Sequence, residues 1–521
     1  MSSINGNVMM TLDDFLQDHG EFGRYQAFVW FFNSIFFSLT AMQLMGWVFV
    51  GAELPHRCLL PNETLNASYH SISIQDIESI QCFIGNDSCS DSGFAYDESI
   101  VGDSVVKEWD LVCDESEKKS RVSAIVMVGY LIGSILFGSL PDKFGRKKIL
   151  LIGVSLMFVS GCFTAFCQGY YSFLVSRALV GITLPVVETT LMVMGIELVG
   201  PSKRTLAGIG QWFFESFGLL LTALIAFLVN SNWRILQIIY TAPLCLIGVY
   251  YWTTPESPRW LLSKGRCEEA TSIMEKVIKS NGHNIEYKVL LEKMKSISKN
   301  NENESASYNY WDLFKFPSLR IKIFVLSILW TTISAIYYVI LLDQQELSDN
   351  IYIGFLITAV VQIPGYVISI QMIQHPRLGR KMSLIIMLIL SGSCLCIHPF
   401  LYFESDLPWI RIVVSTIGRF GANCCYSILV LFTSEIYPTV MRNTGISLNY
   451  FISRFGCILA PYVLLLGKYS SIIFGALSIL SGFLTILLPE TNGMQLPDTI
   501  EESENIKINF STFGKKKLYD K

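Results

Sequence analysis

Apolar and polar positions alternate along this chain in long blocks, not in the short periods of a half-buried helix or strand. An α-helix needs about 20 mainly apolar residues to cross the hydrocarbon core of a bilayer. Twelve blocks of about that length or longer occur here, which predicts membrane-spanning helices at 25–51, 121–140, 149–168, 173–198, 205–229, 234–252, 321–342, 351–374, 382–403, 409–436, 444–466 and 470–488.

Charged motifs between the apolar blocks occur twice. Gly145-Arg146-Lys147 returns as Gly379-Arg380-Lys381, and Pro255-Glu256-Ser257 returns as Pro489-Glu490-Thr491, with the same offset along the chain. The pair Glu197/Arg204 returns as Glu435/Arg442 with a slightly larger offset. Duplicated six-helix halves with a substrate site at the repeat interface are typical of secondary transporters. We therefore predict an all-α membrane protein made of two pseudo-symmetric six-helix bundles.

This pattern divides the chain into five predicted regions. They are an N-terminal segment at 1–24, a first half at 25–254 that includes a long loop at 53–120, a connection at 255–320, a second half at 321–488, and a tail at 489–521. The segment TLDDFLQDHGEFGRYQ before the first block is acidic and predicts a short helix, not a signal peptide.

Composition agrees with a membrane protein, and the placement of charge predicts its orientation. Apolar residues make up 51% of the chain and charged residues only 16%, against roughly 25% charged in soluble domains. Short loops rich in Lys and Arg stay in the cytosol. The basic loops here follow the even-numbered helices, which predicts that both termini are cytoplasmic: Lys143, Arg146, Lys147, Lys148, Lys203, Arg204, Arg377, Arg380, Lys381 and Arg442.

The loop at 53–120 is then extracellular, and its chemistry fits that side. It contains three Asn-x-Ser/Thr sequons, at Asn62, Asn66 and Asn86, which are glycosylation acceptors in the secretory pathway. Its four cysteines are Cys58, Cys82, Cys89 and Cys113, and disulfides form in the same oxidising compartment. Four cysteines allow three pairings, and the sequence does not choose among them.

The repeated charged motifs have two interpretations. In GSLPDKFGRKK, Asp142 can accept from basic partners, and Gly145 permits a tight turn before Arg146. Such a loop can be a cytosolic anchor that merely follows the charge rule, or a latch that holds one conformation. The echo in the second half favours the latch, whose predicted members are Asp142, Gly145, Arg146, Glu197, Arg204, Gly379, Arg380, Glu435 and Arg442.

Several of these motifs resemble those of known transporters. GSLPDKFGRKK, PESPRWL and the later PET resemble the major facilitator superfamily. EWDLVCD at 108–114, the cysteine-bearing first loop, TSEIYPTVMRNTG at 433–445, PETNGMQLPDTIEE at 489–502 and EFGRYQ near the start are similar to the organic cation, organic anion and carnitine transporter family of solute carriers. The resemblance implies the major facilitator fold with twelve transmembrane helices and a multi-pass protein of the plasma membrane.

Ionisable residues inside predicted membrane helices are functional candidates, because each costs at least about 2.5 to 3.5 kcal/mol at a helix centre. The candidates are Arg454, Glu215 and Glu188, whereas Arg177 and Arg419 occur in similar contexts in the two halves, which favours a structural or gating role. Arg454 either forms a permanent salt bridge with one of the glutamates or binds a substrate carboxylate. The resemblance favours binding, since anion and carnitine transporters have arginine where cation-specialised members have an acidic residue.

A substrate ammonium needs different partners. Gln362 stands where many cation carriers of this family have glutamate, which leaves Glu215 and Glu188. Trp330 and Tyr337 are seven residues apart and share a helix face, and with Tyr338 they can contribute cation–π contacts. These aromatic residues are equally well interpreted as packing residues.

Nothing in the sequence predicts catalysis. The six histidines are scattered without metal-ligand spacing, and no phosphate-binding P-loop occurs. We therefore predict no enzyme activity, catalytic residue, cofactor, metal or nucleic-acid partner. The prediction is a secondary transporter that works by alternating access on a carnitine-like zwitterion or organic anion, with the lipid bilayer as its surroundings and the coupling ion, Na⁺ or H⁺, left open. The alternatives are an organic cation transporter and a non-transporting receptor that kept the fold.

Overall fold

The structure is a computed structural model, and twelve long helices lie in the part of the chain that it describes. The described residues are 12–60, 63, 69–71, 80–84, 87–89, 93–230, 232–303, 314–344, 347–348, 350–404, 408–437 and 441–492. The prediction of an all-α protein is confirmed. The chain divides into two units, Met1–Ser305 and Ala306–Lys521, and each is described by itself.

The first unit contains the first six membrane helices. They are Arg24–Met45 continued by Trp47–Val50, then Ser116–Phe137, Arg146–Phe166, Tyr170–Glu197 and Pro201–Leu228, and a sixth helix in three pieces. The pieces are Trp233–Thr241, a 3-10 turn at Ala242–Leu246, and Ile247–Thr253. The break coincides with Pro243, which lacks the N–H that a continuous α-helix requires. A short helix, Leu140–Phe144, joins the second membrane helix to the third.

The second unit contains the other six. They are Pro317–Leu342, Ile351–Gln374, Gly379–Glu404, Pro408–Ile436, Arg442–Leu464 and Lys468–Leu484, and the last is followed by a 3-10 turn at Thr485–Leu487. Among the described residues, 11 helices are long and apolar enough to cross a membrane. The remaining long helix is Arg442–Leu464, the eleventh, in which Asn443, Asn449 and Arg454 interrupt the apolar sequence. Polar groups are thus concentrated in the helix that carries the main candidate residue.

The predicted connection at 255–320 is largely helical, and its described residues up to 303 belong to the first unit. Its helices are Pro258–Ser263, Cys267–Ser280 and Tyr287–Asn303. Their apolar faces pack with the N-terminal helix Leu12–His19 in one buried cluster, to which Phe15, Leu16, Trp260, Met274 and Leu290 contribute. The unit boundary therefore follows these helices and falls inside the predicted connection, after Ser305.

The first loop is a small structure tied to the membrane helices. Strand His56–Cys58 pairs antiparallel with Phe94–Tyr96, and Phe83–Ile84 pairs with Asp87–Ser88. Further pieces are a helix at Val105–Glu108 and 3-10 turns at Tyr69–Ser71 and Cys113–Glu115. The disulfides are Cys58–Cys89 and Cys82–Cys113, one of the three pairings left open by the sequence. The sequons Asn62, Asn66 and Asn86 lie outside the described residues.

The EWDLVCD motif anchors this loop. Glu108 accepts hydrogen bonds from the indole N–H of Trp233 at 2.7 Å and from Arg234 Nη2 at 2.6 Å, both at the start of the sixth membrane helix. The ring of Trp109 packs edge-on against Phe173 and Trp233. The motif that carries much of the family resemblance thus has a structural task in the first unit.

Candidate transport site and its latches

A glutamate caps the start of the third membrane helix. Gly145 has a φ of +105°, a conformation that favours glycine. A Cβ added to it would lie 2.6 Å from Oε2 of Glu256. The Glu256 carboxylate accepts the backbone N–H groups of Arg146 and Lys147 at 3.0 and 3.1 Å. A carboxylate in this place satisfies donors that have no partner within the helix and complements its dipole.

The side chain of Arg146 extends the same contact to the fourth helix. Its Nη2 lies 2.8 Å from Oε1 of Glu197. Its Nη1 donates to the Ser257 hydroxyl at 3.3 Å, while Asp142 lies 3.4 Å away and is mostly exposed. Arg146 therefore joins the start of the third helix to the end of the fourth and to the residues after the sixth.

The second unit repeats this arrangement at its own motif. Glu490 accepts the backbone N–H groups of Arg380 and Lys381 at 2.9 and 3.0 Å, beside Gly379 with a φ of +64°. Arg380 Nη2 lies 2.9 Å from Oε1 of Glu435, and the Thr491 hydroxyl donates to the other oxygen of Glu435 at 2.6 Å. The duplication in the sequence is therefore a duplication of contacts.

One predicted latch pair, Glu197 with Arg204, is formed differently from the expectation. Glu197 pairs with Arg146, whereas Arg204 pairs with Asp13 of the N-terminal helix, which also pairs with Arg259. The side chain of Arg442 lies outside the described residues. The expected contact between Glu197 and Arg204 is thus replaced by two separate ones, because Arg146 approaches from the third helix.

Glu256 and Glu490, which cap these helices, were not among the candidate latch residues predicted from the sequence, although the sequence contains a signal for them. The Gly-Arg-Lys motif and the Pro-Glu motif return with the same offset along the chain. Motifs that keep one offset through a duplication are candidates for contact, and here they do touch. The Glu/Arg pair returns with a slightly larger offset and does not share that register.

Arg454 lies near the middle of the eleventh helix, on a face that is neither packed nor the most exposed. At 100° per residue it is about 100° round the helix from Phe455 and about 140° from Leu459, and these two apolar side chains are 48% and 61% exposed. The packed face runs through Ser453, which is fully buried, and Gly456, which closely approaches the Thr331 carbonyl of the seventh helix. The half-buried Arg454 therefore does not share the direction of the exposed apolar residues.

An aromatic cluster lies one turn from Arg454. Tyr450, which shares its helix face, packs on Trp330 with ring centroids 4.5 Å apart. Trp330 also meets Tyr426 of the tenth helix at 5.8 Å, and Tyr426 stacks on Tyr337 at 5.1 Å. The three tyrosines are half-buried, so they form the accessible part of the cluster.

Two predicted binding residues lie beneath this surface. Trp330 is completely buried and donates its indole N–H to Thr433 at 2.9 Å. Gln362 is 3% exposed and donates from its amide to the Tyr337 hydroxyl at 3.1 Å. In this structure both side chains support the tyrosines. The sequence left open whether Trp330 packs or binds substrate, and its complete burial favours packing.

The two arginines that occur in similar contexts in the two halves bind helix ends. Arg419 donates to the carbonyls of Ile340 and Asp343, at 2.6 and 2.7 Å, where the seventh helix ends. Arg177 is 2% exposed and donates to the Gln43 carbonyl, near the end of the first helix. Cations stabilise helix C-termini, so these contacts favour the structural interpretation for a pair expected to have a structural or gating role.

Glu188 and Glu215 belong to the first unit, on its fourth and fifth helices. Glu188 accepts a hydrogen bond from the Tyr130 hydroxyl at 2.9 Å. One carboxylate oxygen of Glu215, Oε2, is shielded from solvent and has no hydrogen-bond partner among the residues that the structure describes. Glu188 is close enough to interact electrostatically with Glu215. The first unit thus holds two acidic side chains together within its helices.

Among the described residues, one group of side chains has metal-ligand geometry: His56, Cys82 and Cys113 in the first loop. The two sulfur atoms are already joined in a disulfide. This group therefore gives no reason to assign a metal.

Comparison with known proteins agrees with the resemblance seen in the motifs. The family model described as "Sugar (and other) transporter" matches residues 86–502. The chain is 33% identical to the organic cation transporter protein of Drosophila melanogaster, over 97% of this chain and 96% of that one. It is 32% identical to the human organic cation/carnitine transporter 2, over 88% of this chain and 82% of that one.

Solved structures give the same fold. The xylose transporter XylE of E. coli in an inward-open conformation superposes with a TM-score of 0.63, at 17% identity, over 91% of this chain and 98% of that one. A partially occluded form of the same transporter gives a TM-score of 0.62. These similarities establish a twelve-helix major facilitator fold.

Proposed function

Because the chain belongs to the organic cation, organic anion and carnitine transporter family of solute carriers, we propose that it carries a carnitine-like zwitterion or an organic anion by alternating access. Members of this family are membrane transporters and not enzymes, so the coarser assignment, a multi-pass secondary transporter of organic ions, follows from membership. The plasma membrane as its location and cytoplasmic termini are part of the proposal.

The position of Arg454 is the observation that carries the proposed substrate charge. A guanidinium is charged at every physiological pH and can bind a carboxylate through two parallel hydrogen bonds. Placing such a group in the middle of a membrane helix costs free energy, which makes the residue a candidate for a functional role. Its half-buried face, turned away from the exposed Phe455 and Leu459, supports a role in binding a substrate carboxylate.

The tyrosine cluster supports the cationic end of a zwitterion. Tyr450 is one turn from Arg454, and Tyr337 and Tyr426 continue the aromatic surface. Each ring face in contact with an ammonium group contributes about 0.5 to 2 kcal/mol. In this proposal Tyr337, Tyr426 and Tyr450 contact the substrate, while Trp330 and Gln362 hold them in place.

The latches support the mechanical part of the proposal. In each half, one arginine and one capping glutamate join the start of one helix, the end of the next, and the residues that follow the half's last helix. A half that is cross-linked in this way can move as a rigid body, which is how repeat-based transporters alternate between their two open states.

An organic cation as the substrate is the second candidate, because Glu188 and Glu215 lie together in the first half and can attract an ammonium group. Some relatives carry "organic cation transporter" in their names. The two candidates differ in what Arg454 does. It is necessary for a zwitterion or an anion, and dispensable or unfavourable for a simple cation.

The test is an uptake panel in cells that express the wild type, Arg454→Ala, Arg454→Lys or Arg121→Ala. Arg121 is an exposed arginine in an i,i+4 pair with Glu117, and it serves as the matched control. Labelled carnitine, a quaternary ammonium compound and a dicarboxylate are each supplied with and without sodium, and protein at the cell surface is quantified.

We expect Arg454→Ala to reduce uptake of carboxylate-bearing substrates at least about tenfold, the loss of one charge-assisted bond of about 1.5 to 3 kcal/mol. Arg454→Lys should recover a part, and Arg121→Ala should behave as the wild type. Wild-type uptake of the quaternary ammonium compound alone would replace the proposal by the organic cation candidate. No uptake of any compound by surface-expressed wild type would favour the non-transporting alternative.

A further inference from the structure

Near Glu188 and Glu215, two buried polar atoms have no hydrogen-bond partner among the described residues. Glu215 lies near the middle of the helix Pro201–Leu228. Its Oε2 has no hydrogen-bond partner among the described residues, and the same holds for Oε1 of Gln211, a side chain that is 1% exposed. Buried polar atoms are rarely left unpaired unless they serve a ligand or a proton.

The packing of the fourth and fifth helices places these atoms at one level. The helices run antiparallel, because only residues 198–200 separate them. Gln211 donates to the Leu191 carbonyl at 3.2 Å. One turn from that contact, on the same two faces, stand Glu215 and Glu188. The short link between Gln211 and Leu191 therefore positions the two carboxyl groups opposite each other.

Within the described first unit, the nearest cations along the fourth and fifth helices are Arg177 and Arg204, each 11 residues from the glutamate on its own helix. The second helix supplies Tyr130, which donates to Glu188 at 2.9 Å, whereas the phenols of the sixth helix bind elsewhere: Tyr240 donates to the Thr222 carbonyl and Tyr250 to Asn33. The cations of these helices and their neighbours lie toward helix ends: Arg24, Lys118, Lys119, Arg121, Arg146, Lys147, Lys148, Arg177, Lys203, Arg204 and Arg234. Of these, Arg177 binds the Gln43 carbonyl and Arg204 pairs with Asp13.

Two carboxyl groups that are close together in a low-dielectric site cannot both be ionised at low cost. A proton on one of them removes the repulsion and supplies a hydrogen-bond donor for an acceptor such as the Gln211 oxygen. Tyr130 at the same time stabilises negative charge on Glu188. Glu215 is therefore the better placed of the two to gain and lose the proton.

We propose that Glu188 and Glu215 form a proton-binding site, and that reversible protonation of this pair couples substrate movement to a proton gradient. The inference rests on the proposed transport function and assigns its coupling ion. In the step itself, a carboxylate takes a proton from the solution on one side and returns to the carboxylate when that proton leaves on the other.

The experiment uses the full-length protein reconstituted in liposomes, with the membrane potential clamped by equal potassium and valinomycin. Exchange of labelled for unlabelled carnitine, without any gradient, first reports whether the protein transports. Net movement of carnitine is then measured from equal concentrations under a pH difference, or under a sodium gradient at equal pH. The proteins compared are the wild type, Glu215→Gln, and Glu275→Gln, a half-buried control outside the membrane helices that pairs with Lys279.

We expect the pH difference to drive net movement at least about fivefold above the level without a gradient, in the wild type and in Glu275→Gln. The direction of movement shows whether the proton travels with or against the substrate. Glu215→Gln should reduce the movement driven by pH by a larger factor than it reduces exchange. Exchange without such movement in the wild type overturns the proton site, whereas no exchange in the wild type overturns the proposed function instead.

Two further outcomes decide against the site. A sodium gradient that drives the wild type but not Glu215→Gln would make the pair a sodium site. If Glu215→Gln does not exchange, Glu188→Gln and Glu215→Asp are measured in its place. Loss of exchange in all three, with protein that remains monodisperse, would assign the carboxylates to substrate binding and overturn the proposal.

Discussion

At the scale of single residues, the sequence located the charges but not always their partners. Arg454 is distinctive from sequence alone, because one cation in an apolar block stands out and its helix face follows from the helical period. The complete burial of Trp330 could not be predicted in this way. Its burial depends on Tyr426, Tyr450 and Thr433 from two other helices, whose mutual packing no local pattern contains.

Gly145 is the residue at which a small change tests the latch. Gly145→Ala should lower the free energy of unfolding by about 1 to 3 kcal/mol, because φ is +105° and the new Cβ would meet the Glu256 carboxylate at 2.6 Å. The measurement is thermal unfolding of purified protein in detergent, together with carnitine exchange, which should slow as the cap on the third helix loosens.

Gly169→Ala is the matched control for that substitution. Gly169 has an ordinary extended backbone with a φ of −152°, and nothing lies within 4 Å of a Cβ added there. Gly169→Ala should therefore melt like the wild type. If Gly145→Ala also melts like the wild type, the turn tolerates a side chain and the Glu256 cap does not require glycine at this position.

At the scale of elements, the predicted membrane helices agree with the observed ones, except that the sixth is not continuous. The sixth block was predicted as one helix at 234–252 and is broken at Pro243, since a missing N–H matters more than apolar character. The N-terminal helix was expected from its acidic start, yet its packing partners were not. They lie beyond the sixth membrane helix in the sequence, in the helices Pro258–Ser263 and Cys267–Ser280.

Asp13 attaches this N-terminal helix through two arginines. Burial alone would raise the pKa of Asp13, but the hydrogen bonds and charges of Arg204 and Arg259 outweigh it and hold the pKa below the ordinary value of 3.8. A group whose pKa is lowered in the folded state adds stability above its unfolded pKa and loses that contribution as the pH falls through its folded pKa.

Asp13→Asn should therefore destabilise the protein by about 1.5 kcal/mol at pH 7, the lower end for hydrogen bonds to charged groups, because the site is about one-third exposed. The difference from the wild type should shrink as the pH drops below 3.8. Asp18→Asn, an exposed carboxylate on the same helix, is the control. Thermal melts across this range check it, and a difference that is constant with pH would contradict it.

At the scale of the whole molecule, hydropathy and duplication were enough to predict the fold. Twelve apolar blocks gave twelve long helices in the described chain, and the repeated motifs gave repeated contacts. The substrate is not predictable to the same degree. Specificity depends on a few side chains, such as Arg454, Tyr450 and Glu215, whose combined environment is set by packing that no linear pattern records.

The capping glutamates have a consequence for how the protein is made. Glu256 and Glu490 follow the last membrane helix of their halves, yet each holds the start of that half's third helix. During synthesis, the first half can form the contact between Glu256 and its third helix only after residue 256 has left the ribosome. The second half has not been synthesised at that point. We expect stalled nascent chains to gain protease resistance in the first half abruptly once that glutamate has emerged, and Glu256→Gln to abolish the step; a gradual gain in the wild type would refute this order of events.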